Sequence, residues 1–228
     1  NGCGMDKDML RRALQFGNGG RLDDRTGIGR FGMGLPNSSI SQARRVDVWT
    51  WQNGYQSAIH SYLDVGEIER GEQSEVPEPN EEAVPNTWVR RSNSAGQAKS
   101  GTLVVWSDLD KCDWRTAQSI FKNSEFTIGR IYRYFINNDR AKIRMAAFLG
   151  RGTNPVTDDV VSANDPLYLT PNETLPAPWN AEPMFEQHGA PQVIQIGLNG
   201  KALAVTVTIS VAKKVARDGH NAGDQPHG

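Results

Sequence analysis

Gly29-Arg30-Phe31-Gly32-Met33-Gly34-Leu35 carries three glycines at the spacing G-x-x-G-x-G. Directly after it comes a run of small residues, Pro36 to Ala43, that reads as the start of a helix. Glycine lets a backbone approach an anion closely and adopt φ > 0 without steric cost. A helix N-terminus adds unpaired N–H groups and the positive end of a dipole. Together these parts suit a phosphate. Arg30 offers a guanidinium of the right geometry for the same ligand. Two more glycine turns stand in the chain. Asn1-Gly2-Cys3-Gly4-Met5 leads into an amphipathic segment, and Ser100-Gly101-Thr102 leads into the apolar run Leu103-Val104-Val105-Trp106.

Three motifs in this order resemble the ATP-binding domain shared by gyrase, the heat-shock chaperones, histidine kinases and MutL, the GHKL superfamily with its Bergerat fold. The first motif is similar to the Asp-x-Gly-x-Gly-Met box, with its Asp one place before Asn1. The second resembles the Gly-x-x-Gly-x-Gly lid box, and the third the Gly-Thr box. The resemblance covers roughly residues 1 to 150. It implies an α+β fold, a two-layer α/β sandwich followed by the beginning of a β-rich, transducer-like second domain. It implies ATP and Mg²⁺ as ligands, with ATP binding closing a lid, pairing two copies and driving a clamp or chaperone-like cycle. The layout is nearest to chaperone- and microrchidia-like members.

Residue by residue, the resemblance brings Gly2, Gly4 and Met5 to the adenine, with Thr102 supporting the adenine-binding Asp, directly or through water. Gly29, Arg30, Gly32, Met33, Gly34 and Leu35 fall to the phosphates. The adenine-binding Asp, the general-base Glu and the Mg²⁺-binding Asn of the superfamily would all lie before Asn1. No residue of this chain is therefore expected to be catalytic or to bind metal. Two other readings stand beside the ATPase: the ATP-binding half of a histidine kinase, and a binding module with an inactive nucleotide site.

The elements that must hold these motifs can be read from pattern. Met9, Leu10, Ala13 and Leu14 make one apolar face of a helix over 5–16, which Gly17 to Gly20 stops. Residues 17–28 read as a mobile loop, and Leu35 to Arg44 as the helix behind the phosphate cradle. Val46 to Trp51 alternates as a strand, Asn53-Gly54 signals a hairpin, and Gln56 to Leu63 pairs back. Residues 64–86 carry eight acidic groups against Arg70 and read as an edge strand followed by an exposed, solvated loop. Thr87–Arg91 and Thr102–Leu109 read as strands. Asp113–Ile136 reads as one helix capped by Asp113, and Lys142–Leu149 as a strand completing the sheet. The first domain is expected to end near Gly150. Prolines break residues 151–190, and a hairpin turning at Asn199-Gly200 follows.

The chain has 228 residues, 37% of them hydrophobic, with 25 basic and 26 acidic groups. Balanced charge gives no field that argues for nucleic acid. No run of 18 apolar residues argues for a membrane span. Cys3 and Cys112 lack C-x-x-C partners, which fits a reducing cytoplasmic setting better than a disulfide framework. His188, His220 and His227 lack metal-ligand spacing, and Asp108, Asp110 and Asp113 lack the glycine and closing Glu of a calcium loop. The client, whether protein or nucleic acid, is not written in the sequence.

Overall fold

A computed structural model describes residues 2–18, 23, 29, 31–93, 98–172, 175–198 and 200–218. Its Cα packing divides the chain into two units, Asn1–Arg115 with Phe148–Pro155, and Thr116–Ala147 with Val156–Gly228. The architecture is α+β, with an antiparallel sheet as the main element of the first unit.

The first unit starts with α1 (Lys7–Leu14), whose N-cap is Asp6: its carboxylate accepts the Met9 N–H at 2.8 Å. Next comes α2 (Gly34–Ile40), then β1 (Ala43–Trp51) and β2 (Ile59–Asp64). α3 (Val65–Glu69), β3 (Asn80–Glu81), α4 (Asn86–Arg91) and β4 (Gly101–Leu109) complete it. The strand order is β3-β2-β1-β4. The glycine at the β1–β2 turn, Gly54, has φ +95°.

Register sorts β1 into two faces. Val46, Val48 and Thr50 lie beside Trp106, Val104 and Thr102 of β4 and beside Leu63, Ser61 and Ile59 of β2. On this face Leu10 and Leu14 of α1 pack with Val46, Val48, Leu63 and Val76, and Met5 and Leu35 lean on the same cluster. The opposite face presents Asp47, Trp49 and Trp51, and a second cluster joins Trp49 and Trp51 to Ala58, Val84 and Val89. β1 is covered on both faces from Val46 to Trp51, not on alternate residues as its pattern suggested.

The structure corrects several local expectations. Residues 86–91 form a helix, not a strand. The Pro85 carbonyl accepts the N–H groups of Trp88 and Val89, and burying Val89 in the second cluster outweighs the β-branched composition. The helix behind the lid ends at Ile40, because Ala43 is already paired with Leu109. The acidic stretch opens with α3 where an edge strand was expected, and most of its carboxylates are exposed, as the loop reading had it, yet most are paired. Arg11 bonds Glu75 (2.7 Å), Glu78 (2.5 Å) and the Val76 carbonyl (3.1 Å), Arg44 bonds Glu69, and Arg45 bonds Asp64. Glu82 takes the Trp49 Nε1 proton at 3.1 Å. The segment is strapped down by cations from α1 and β1.

The second unit holds α5 (Ala117–Ile131) and α6 (Arg133–Asn137), which part at Tyr132 where one long helix was expected. Thr116, not Asp113, caps α5 by accepting the Ser119 N–H at 3.2 Å. β5 (Arg144–Phe148) pairs with β6 (Pro155–Val160) instead of extending the four-stranded sheet. Arg144 and Asp158 join this pair at 2.8 Å. β7 (Phe185–Gln187) pairs with β10 (Ser210–Ala212), and β8 (Gln192–Leu198) with β9 (Lys201–Val207), as the hairpin reading required. α7 (Lys214–Asp218) is the last described element. Inside this unit Asn172 donates to Asn164 at 2.9 Å, and both are buried.

Candidate nucleotide site

The first and third glycine motifs meet at one buried hydroxyl. Thr50 is fully buried in β1. Its Oγ1 accepts the Met5 N–H at 2.9 Å and lies 3.1 Å from the Gly101 carbonyl and 3.0 Å from Thr102 Oγ1. A fourth bond closes the same junction, from the Ser100 hydroxyl to the Gly2 carbonyl at 3.0 Å. Thr102 itself is an exposed residue whose hydroxyl contacts the buried Thr50.

Trp51 explains two of the glycines. A Cβ on Gly4, whose φ is +72°, would stand 2.1 Å from the Trp51 carbonyl oxygen. A Cβ on Gly101 would stand 2.7 Å from the Trp51 ring, which is anchored by its own N–H to the Ala98 carbonyl at 2.9 Å. Gly2 has open space around the same position. A cleft of about 220 Å³ opens beside this junction, lined by Met5, Asp6, Thr50, Trp51, Asn53 and Ile59 among others.

The second motif reaches the same sheet face by another route. Gly32 has φ +63°, and Met33 is the half-exposed N-cap of α2. As the first residues of α2, Gly34 and Leu35 have no helical acceptor for their N–H groups. A Cβ on Gly29 or on Gly34 would meet nothing within 4 Å. Such open space in front of the backbone is what an approaching phosphate requires. α2 is fixed to β4 by a bond from Trp106 Nε1 to Ser39 Oγ at 2.9 Å, and Ser39 in turn donates to the Leu35 carbonyl at 2.6 Å. Met5 and Leu35 thus rest on one core cluster, which sets both motifs on the same side of the sheet. Arg30 and most of the 17–28 loop lie outside the described residues, as do His220 and His227.

Sequence reasoning missed Thr50 and Trp51. The signal was a threonine at a position that alternation assigns to the core face, opposite the Thr of the third motif.

On the reverse face of the sheet Arg45 grips Asp47 through Nε (2.9 Å) and Nη2 (3.0 Å). His60 stands between Asp47 (3.0 Å) and Glu82 (3.1 Å) and stacks on Trp49 at 4.4 Å. Burial opposes ionisation of Asp47, but the hydrogen bonds from His60 and Arg45 outweigh it and hold this carboxyl below its ordinary range. No group of three or more His, Cys, Asp or Glu side chains is placed to hold a metal among the described residues. Nor is any helix among them long and apolar enough to cross a membrane.

Residues 1–102 match the model of the family described as histidine kinase-, DNA gyrase B-, and HSP90-like ATPase. This segment is similar to the ATP-binding domain of the GHKL superfamily. GHKL ATPase domains bind ATP and, in general, hydrolyse it. The α+β architecture with its antiparallel sheet agrees with such a domain. No curated protein matches the chain.

Proposed function

We propose that this chain is the nucleotide-holding part of an ATP-driven conformational machine. In this reading Gly2, Gly4, Met5 and Thr102 form the base end of the site. Gly29, Arg30, Gly32, Met33, Gly34 and Leu35 form its triphosphate end, with backbone N–H groups and one guanidinium facing the anion. Closure of the 17–28 loop over the nucleotide and pairing of two copies convert binding into movement. A nucleotide-binding part through residue 150 and a transducer-like part over 151–228 belong to the same reading.

The observation that carries it is the junction at Thr50, where the first and third motifs are joined by hydrogen bonds across 45 and 52 residues of sequence.

The test is a titration with ATP and Mg²⁺, followed by phosphate release, on the full-length protein and a Gly32→Val/Gly34→Val double variant. Valine is strained at the positive φ of Gly32 and fills the space before Gly34. Binding by the wild type and not by the variant supports the assignment. Equal binding by both, or none by a folded wild type, overturns it.

A further inference from the structure

We propose that the groove between α1 and the acidic segment of residues 67–78 docks a partner protein through a stretch in which large apolar side chains are flanked by arginines or lysines. The proposal uses none of the residues assigned to the nucleotide and does not depend on that reading.

The groove holds about 340 Å³ and is walled by Leu14, Phe16, Leu63, Ile68 and Val76. Leu14, Leu63 and Val76 are buried members of the first core cluster. They make an apolar floor that close packing holds in place. Phe16 and Ile68 are exposed, at 52% and 46%. Phe16 follows the end of α1, and Ile68 lies in α3. Gln73 also lines the groove, and its side chain is committed inward. Its amide oxygen accepts the Asp64 N–H at 2.9 Å, and its amide nitrogen donates to the Tyr62 carbonyl at 3.2 Å. The hollow is therefore formed before any ligand arrives. Two large apolar side chains left in water beside a preformed apolar hollow mark a contact surface.

Charge decides what that surface accepts. Glu67 and Glu69 stand on either side of Ile68 in sequence, Glu72 precedes Gln73, and Glu75 lines the groove itself. Among the described residues Arg11, Arg44 and Arg45 join Arg70 along residues 64–86, four guanidiniums against eight carboxylates. Arg11 alone is shared by Glu75 and Glu78. Such a surface repels a phosphate or a nucleic acid. A second copy brought groove to groove would set carboxylate against carboxylate. A wholly apolar partner would strip water from the carboxylates without pairing them. A cationic segment is steered toward them and pairs with them, while its apolar side chains enter the hollow.

The experiment follows the fluorescence anisotropy of a labelled peptide, Ser-Arg-Arg-Leu-Phe-Arg-Arg-Ser, titrated with the full chain. Two control peptides carry Glu in place of every Arg, or Ser in place of Leu and Phe. The expected result is that the first peptide binds about tenfold tighter than either control. Ile68→Ser and Phe16→Ser should each weaken it about tenfold, as for one large apolar side chain removed from a buried contact. Glu75→Gln should weaken it about threefold, the scale of an exposed ion pair. Salt at about 1 M should weaken it too. Asp159→Asn, which removes an exposed carboxylate of β6, should change nothing. Equal affinity for the peptide without Leu and Phe means general attraction to acid, and equal affinity for the glutamate peptide means indiscriminate apolar adhesion. Either overturns the proposal, as does an absence of binding at about 1 mM. Binding that survives both Ile68→Ser and Phe16→Ser lies elsewhere and overturns it also. Dimers in sedimentation that Ile68→Ser dissociates would identify a second copy as the occupant, against the proposal. Thermal unfolding checks that each variant folds, and if one does not, the other decides. None of these outcomes bears on ATP binding, which is tested separately.

Discussion

The carbonyl oxygen of Trp51 occupies the space that a side chain on Gly4 would need, 2.1 Å from its Cβ position. The end of β1 is therefore what demands a glycine here, independently of any ligand. Gly4→Ala adds this clash to the strain of φ +72° and should lower stability by about 2–3 kcal/mol. Gly2→Ala, with nothing within 4 Å, should stay within about 0.5 kcal/mol of wild type. Urea denaturation of the two variants measures the contrast, and equal effects would refute the packing account.

Asp47 gives the fold an acid-sensitive point. Its carboxyl titrates below the ordinary value in the folded chain, so the unfolded chain takes up a proton first as pH falls. The stabilisation is fully present at neutral pH and fades below about pH 4. Asp47→Asn should cost about 1–2 kcal/mol at pH 7, allowing for screening on its open side. It should also flatten the acid limb of a stability profile taken from pH 7 to pH 3. An unchanged limb would mean that other carboxylates, Asp64 among them, govern it.

Arg11 ties the acidic strap to α1 through two exposed carboxylates and one carbonyl. Arg11→Met should change global stability by less than about 1 kcal/mol, since exposed ion pairs contribute little. Its visible effect should be local, as faster amide exchange over residues 73–81. Raising salt to about 1 M should move the wild type part of the way toward the variant, because the pairs are screened. Unaltered exchange would show that the strap is held by Val76 and Val84 alone.

Gly129 lies inside α5, where alanine ordinarily stabilises a helix by about 1 kcal/mol. Here the sign should reverse. A Cβ would come within 2.3 Å of the Ser162 carbonyl, on a segment whose Asn164 N–H already bonds the Gly129 carbonyl at 3.1 Å. Gly129→Ala should lower the melting temperature, and a rise would disprove the close approach.

Signals that are local in the chain were legible in the sequence. Glycine turns declare themselves within a few residues, so the three motifs, the stop after α1 and the turn at Asn53-Gly54 could be found. What depends on distant partners could not. Thr50 looks like any strand threonine until Thr102 is placed beside it. Counting the charges of residues 64–86 gave their exposure but not their pairing, because Arg11 and Arg44 lie far away in sequence. Residues 87–91 alternate like a strand, and only the Pro85 carbonyl and the burial of Val89 make them helical. The proposed base end was thus visible as two separate motifs and not as a bonded junction.

β1 also sets an order of assembly. It meets β2 through a short turn, but it meets β4 only by closing a loop in which Thr50 and Thr102 are 52 positions apart. Closing longer loops costs more chain entropy, and non-local pairings form later. The β1–β2 hairpin can therefore form early, while the bonds from Thr50 to Gly101 and Thr102 await β4. During synthesis the junction at Thr50 cannot exist until β4 has left the ribosome, so in the proposed reading a nascent chain shorter than that has no competence for nucleotide, whatever its glycines spell.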